Sequence, residues 1–96
     1  MLPKTEAWQN VIDSPALSRF ELSVDGLTAF LSYERAPGSI RMLHTEVPEA
    51  FRGRGVGAAL VKGALELARA PGLRVVAVCP FVRAYLQKHP DAQSTG

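Results

Sequence analysis

At 96 residues with 47% apolar side chains, the chain has material for one modest hydrophobic core and not for two. A net charge of +2, with acids scattered among the basic residues, excludes a general nucleic-acid binder. The single cysteine, Cys79, excludes an internal disulfide and fits a reducing compartment. The start, Met1-Leu2-Pro3-Lys4-Thr5-Glu6, has no long apolar run and carries an acid early, so neither a secretory leader nor a membrane span is expected. The expectation is one cytoplasmic domain over residues 1–96, with its core at about 19–91 and flexible ends.

Residues before Ser18 show no clean period. Trp8, Val11 and Ile12 are candidates to pack on the domain edge, and Pro15 bars a helix through them. From Arg19 the pattern alternates: Phe20, Leu22 and Val24 against Glu21, Ser23 and Asp25, a half-buried strand. Asp25-Gly26 is a two-residue hairpin signal, followed by a strand from Leu27 to Glu34. Ala36-Pro37-Gly38-Ser39 turns the chain again, and a third strand runs from Ile40 to about Val47, where Pro48 removes a ladder donor. Three strands with short turns predict an antiparallel meander.

Behind Pro48, the spacing of Val56, Leu60, Gly63, Ala64 and Leu67 predicts a helix from about Gly55 to Ala70, stopped by Pro71-Gly72. The β-branched run Leu73 to Val78 reads as a buried, central strand, parallel to the one ending at Val47 through a right-handed crossover. Pro80 opens a short helix with Phe81, Val82, Tyr85 and Leu86 on its inner face, ending before Pro90 and leaving a frayed tail from Asp91.

The loop joining the meander to the long helix carries the chemistry: Val47-Pro48-Glu49-Ala50-Phe51-Arg52-Gly53-Arg54-Gly55-Val56-Gly57. Glycines at alternate positions allow a tight turn and close approach of a ligand to the backbone. The helix behind them offers unpaired first-turn amides and the positive end of its dipole, which together seat an anion. Arg52 and Arg54 add guanidinium groups that match phosphate oxygens. The spacing is neither a Rossmann fingerprint nor a P-loop. The register Arg52-x-x-Gly55-x-Gly57 distinguishes it from a merely flexible glycine loop.

With this loop, the meander before it, and the helix, strand and short helix after it, the chain resembles the GNAT superfamily of acetyltransferases. Within that superfamily it is similar to small GNAT-like proteins that carry stretches like His44-Thr45-Glu46-Val47-Pro48 and Cys79-Pro80-Phe81-Val82. The resemblance implies an α/β fold: a mixed, mostly antiparallel sheet with a long central helix and a short C-terminal helix. It implies acetyl-CoA as cosubstrate, with no metal. Arg52, Gly53, Arg54, Gly55, Val56 and Gly57 would hold the pyrophosphate, and the main chain at Glu46 and Val47 would pair with the pantetheine arm. The thioester would emerge near Cys79. The implied reaction is acetyl transfer to an amine, small molecule or protein, by a monomer or homodimer. The alternative is a CoA-binding regulatory or interaction module with little turnover. A module holding RNA in the same cradle is disfavoured, because no aromatic stacking platform accompanies it.

The chain also departs from the family pattern. Members usually carry two further strands after the last helix, so the acceptor site here is expected to be open or completed by another chain. Cys79 stands where an Asn is usual, and His89-Pro90 where Gly-Phe is usual. Four residues are candidates for the chemistry. Cys79, before a helix start, is a nucleophile, a proton donor, or a small buried apolar residue. Tyr85 returns a proton to the thiolate or packs on the sheet. His44 and Glu46, two apart on one strand, share a face and offer a base, or are structural and solvated. His89 reads as a helix C-terminal cation, and no metal-ligand set is recognisable.

Overall fold

The structure, a computed structural model, describes residues 10–90; Trp8 and the tail from Asp91 lie outside them. A short strand β1 (Ile12–Ser14) and a 3-10 turn (Pro15–Leu17) lead into β2 (Arg19–Val24), β3 (Leu27–Ala36) and β4 (Ser39–Glu46). A second 3-10 turn (Glu49–Phe51) precedes helix α1 (Val56–Arg69), then β5 (Arg74–Ala77) and helix α2 (Pro80–Lys88). The five strands form one sheet in chain order, antiparallel from β1 to β4, with β5 parallel to β4. This is the mixed, mostly antiparallel α/β architecture expected.

Local chemistry accounts for the meander. Asp25 and Gly26 both take positive φ, 53° and 79°, the backbone of a primed hairpin turn that matches strand twist. That turn fixes the register, so Phe20 faces Leu31 and Leu22 faces Ala29, all buried on the face that α1 covers. The α1 stripe is centred on Leu60, Ala64 and Ala68, flanked by Val61 and Leu65. Leu67, expected to face inward, lies on the rim of that stripe and is 39% exposed.

Two other expectations are corrected. The segment before Ser18 contains β1, paired with β2 and tied down by Asp13, which accepts from Tyr33 Oη at 2.6 Å and from Arg35 Nη2 at 2.8 Å. Its neighbour Val11 is buried over Gly63 of α1, whereas Ile12 is exposed. The β-branched strand, expected to be central, is at an edge of the sheet and only half-buried. β-Branching fits any pleated surface, so composition alone does not separate a central strand from an edge strand.

The β4–β5 pair is short. Its register runs from Ser39–Arg74 to Met42–Ala77 and stops. There the Met42 carbonyl accepts both Val78 N–H (3.0 Å) and Cys79 N–H (2.9 Å), and the chain turns into α2. Beyond Met42, β4 bulges at Leu43 and, among the described residues, continues paired with β3 alone.

Candidate functional site

The glycine loop reaches α1 through two residues in left-handed backbone, Gly53 and Gly55, each with φ of 77°. Gly55 is the N-cap, and the first intrahelical bond runs from Ala59 N–H to the Gly55 carbonyl. The amides of Val56, Gly57 and Ala58 therefore precede the ladder and are available to a ligand. They open on a cavity of about 600 Å³. Its polar wall is Glu49, Arg52, Gly53, Gly55 and Gly57, and its apolar wall is Val47, Pro48, Phe51, Val56, Ala58 and Phe81; Arg54 is not part of the lining.

Both arginines of the loop are held loosely. Arg52, 82% exposed, lies 3.7 Å from Glu49. Arg54 lies 3.7 Å from Asp25 at the β2–β3 turn, with its guanidinium 5.6 Å from the centre of the Phe51 ring. Pairs this exposed and this long contribute little to stability, so both cations can exchange partners. A helix N-terminus with free amides, two unstrained cations and glycine backbone fits a diphosphate.

Val47 lines the cavity, and Glu46 ends β4 on the stretch that β5 has left. Cys79 is 3% exposed and forms the N-cap of α2. Its Sγ lies 3.4 Å from Thr45 Oγ1, across the gap where the two strands part. Thr45 faces Leu31 and so shares the core side of the sheet. His44 and Glu46 face Ser32 and Phe30 on the opposite side, where His44 Nε2 meets Glu46 Oε2 at 2.5 Å and both side chains are more than half exposed. β4 thus stands between Cys79 and the His44–Glu46 pair.

Tyr85 lies in the second half of α2, the helix that Cys79 caps. Its ring stacks on His89 with centroids 4.2 Å apart. Burial pushes its phenol pKa above the usual 10.0; the Glu66 carboxylate adds to this and Arg69 offsets part of it. Those two charges belong to the C-terminal half of α1, whereas Cys79 meets Thr45. Among the described residues no group of three or more His, Cys, Asp or Glu could hold a metal ion, and no helix is long and apolar enough to cross a membrane.

Sequence reasoning missed Phe51 and Phe81 as cavity walls and Thr45 as the neighbour of Cys79. Phe81, expected on the inner face of α2, is instead 45% exposed beside the glycine loop, while Val82 takes the buried position. The aromatic residue one position after a helix-initiating proline was the available signal, since the first turn of α2 had to lie near the end of β5.

Comparison with known proteins agrees with this arrangement. A family model described as GCN5-related N-acetyl-transferase matches residues 19–95. Protein NATD1 of Xenopus tropicalis is 35% identical over 55 residues, 57% of this chain and 50% of the relative. Protein NATD1 of Homo sapiens is 35% identical over 54 residues (56% and 48%), and that of Danio rerio 31% over 55 residues (57% and 50%). The chain spans about half the length of these curated relatives. The family match runs from the first residue of β2 past the end of α2, taking in the loop, the helix behind it and the parting of β4 from β5, and the chain belongs to the GCN5-related N-acetyltransferase family.

Proposed function

We propose that this chain binds acetyl-CoA in the cavity at the start of α1 and moves its acetyl group to an amine. The observation that carries the reading is the set of free amides at Val56, Gly57 and Ala58, opening on a cavity that reaches Val47 beside the stretch of β4 that β5 has left. Arg52, Gly53, Arg54, Gly55, Val56 and Gly57 hold the diphosphate, and the main chain at Glu46 and Val47 receives the amide-bearing arm.

In the transfer, the amine nitrogen bonds to the thioester carbonyl carbon, the carbon–sulfur bond breaks, one proton leaves the nitrogen and one reaches the departing sulfur. His44 is the base candidate, its ring oriented by Glu46 at 2.5 Å. Cys79, beside the gap, is the acid or an intermediate acetyl acceptor. Tyr85, whose raised phenol keeps its proton at neutral pH, is the second acid candidate. The separation of His44 and Glu46 from Cys79 by β4 favours one alternative: a CoA-binding regulatory or interaction module that turns over little.

Calorimetric titration with CoA tests the binding. Gly55→Ala forces a Cβ into left-handed backbone at the cradle, so affinity should fall at least about tenfold. No heat with the unaltered chain would overturn the reading. Intact mass after incubation with acetyl-CoA tests the chemistry, where one acetyl gained by the chain and lost in Cys79→Ala indicates a ping-pong route. Release of CoA only on adding amines indicates direct attack, and neither result over a broad amine panel leaves the binding module.

A further inference from the structure

Phe81 is the second residue of α2, next to Val82, which is fully buried. Yet its own ring is 45% exposed and forms part of the wall of the cavity that Arg52, Gly53 and Gly55 line. It lies so close to α1 that a Cβ on Gly57 would stand 2.6 Å from Cζ and 3.3–3.4 Å from the two Cε atoms. Gly57, unlike Gly53 and Gly55, has no positive φ to require glycine. What fills the place of its missing side chain is the Phe81 ring.

The cavity therefore has an anion-binding end and an apolar wall of Val47, Pro48, Phe51, Val56 and Phe81. A nucleotide diphosphate engages the first through its phosphates, and its base would reach the second only by stacking on an aromatic ring. An apolar segment directly adjoining the diphosphate, such as the dimethyl-branched start of the pantetheine arm, would lie against that wall, with Val47 leading on to the edge of β4.

We infer that Phe81 is a specificity-determining residue that selects ligands bearing such an arm, and that Gly57 is glycine to seat the Phe81 ring. The inference rests on the acetyl-CoA reading and goes further: the amide of the third motif glycine stays with the diphosphate, while its missing side chain makes room for the Phe81 ring.

Three ligands separate the possibilities: CoA, 4′-phosphopantetheine, and adenosine 3′-phosphate 5′-diphosphate, which has the diphosphate and no arm. Covering half of an aromatic ring is worth on the order of tenfold in affinity. Phe81→Ala should weaken CoA and phosphopantetheine by about that factor and leave the armless nucleotide within about twofold. Gly57→Ala should weaken CoA in the parent and have little further effect in Phe81→Ala, because the ring it displaces is gone. Unchanged CoA affinity in Phe81→Ala, equal losses for all three ligands, or an equal Gly57→Ala penalty in both backgrounds would overturn the inference while CoA binding stands. Failure of the parent to bind CoA would overturn the acetyl-CoA reading, and the selectivity with it. The buried half of the Phe81 ring packs on Gly57, so Phe81→Ala should lower the thermal midpoint by several degrees, and a retained cooperative transition checks that the variant is folded.

Discussion

At the tip of the β2–β3 hairpin, Asp25 holds Arg54 at 3.7 Å, and Arg54 belongs to the cradle proposed for the diphosphate. A carboxylate 74% exposed at its side chain is a weak partner, but it occupies the same cation that an incoming phosphate needs. Asp25→Asn separates these roles. Asn-Gly is at least as good a primed turn as Asp-Gly, so the hairpin is kept while the competing charge goes. CoA affinity should rise by about two- to fivefold at low ionic strength, with the gain shrinking as salt screens the competition. Titration at two salt concentrations checks this, and unchanged or weaker binding at low salt would show that Arg54 does not reach the ligand.

The packing of α1 on β1 rests on a small residue. Gly63, in the middle of the helix, faces the side chain of buried Val11, and a Cβ there would collide with both the Val11 Cβ and its Cγ2. Helix propensity alone favours Gly63→Ala by about 1 kcal/mol. Overpacking against a stiff β-branched neighbour costs about 1–3 kcal/mol, so the variant should be destabilised on balance. Its thermal midpoint should fall by several degrees, and Val11→Ala in the same chain should recover part of the loss; a rise in the single variant would mean Val11 yields freely. This contact also shows where the sequence was legible. The period of two in Phe20-Leu22-Val24 and the mixed spacing of three and four in Val56, Leu60, Gly63, Ala64 and Leu67 announce their elements, because one buried face writes its spacing into the chain. β1 is too short to show a period, and its place depends on Asp13 meeting Tyr33 and Arg35, which are distant in sequence. The loop was legible because its glycines and arginines are contiguous. Phe81 and Thr45 were not, since each matters through a residue on another element, Gly57 and Cys79 respectively.

Across the whole molecule, the candidate site is divided between two parts of the chain. Thr45 belongs to the last strand of the meander, with Val47 and the glycine loop directly behind it, whereas Cys79 and Phe81 arrive after β5 with α2. The meander closes through tight turns: Val24 pairs with Leu27, and Ala36 with Ser39. β5 joins the sheet through the four-residue parallel register of Ser39 with Arg74 to Met42 with Ala77, reached after all of α1. Local pairs close at small entropic cost and long crossovers at a larger one, so the two parts need not form together. In time, the meander should come first and the cradle's second wall last, which makes opening of β5 and α2 the lowest-energy route by which the folded chain comes apart. Under native conditions, amide hydrogens of β5 and α2 should exchange ahead of those of β2 and β3; equal protection throughout would mean that the sheet assembles as one unit. A ligand bridging the loop and Phe81 would then slow exchange most in α2, the segment that folds onto the site last.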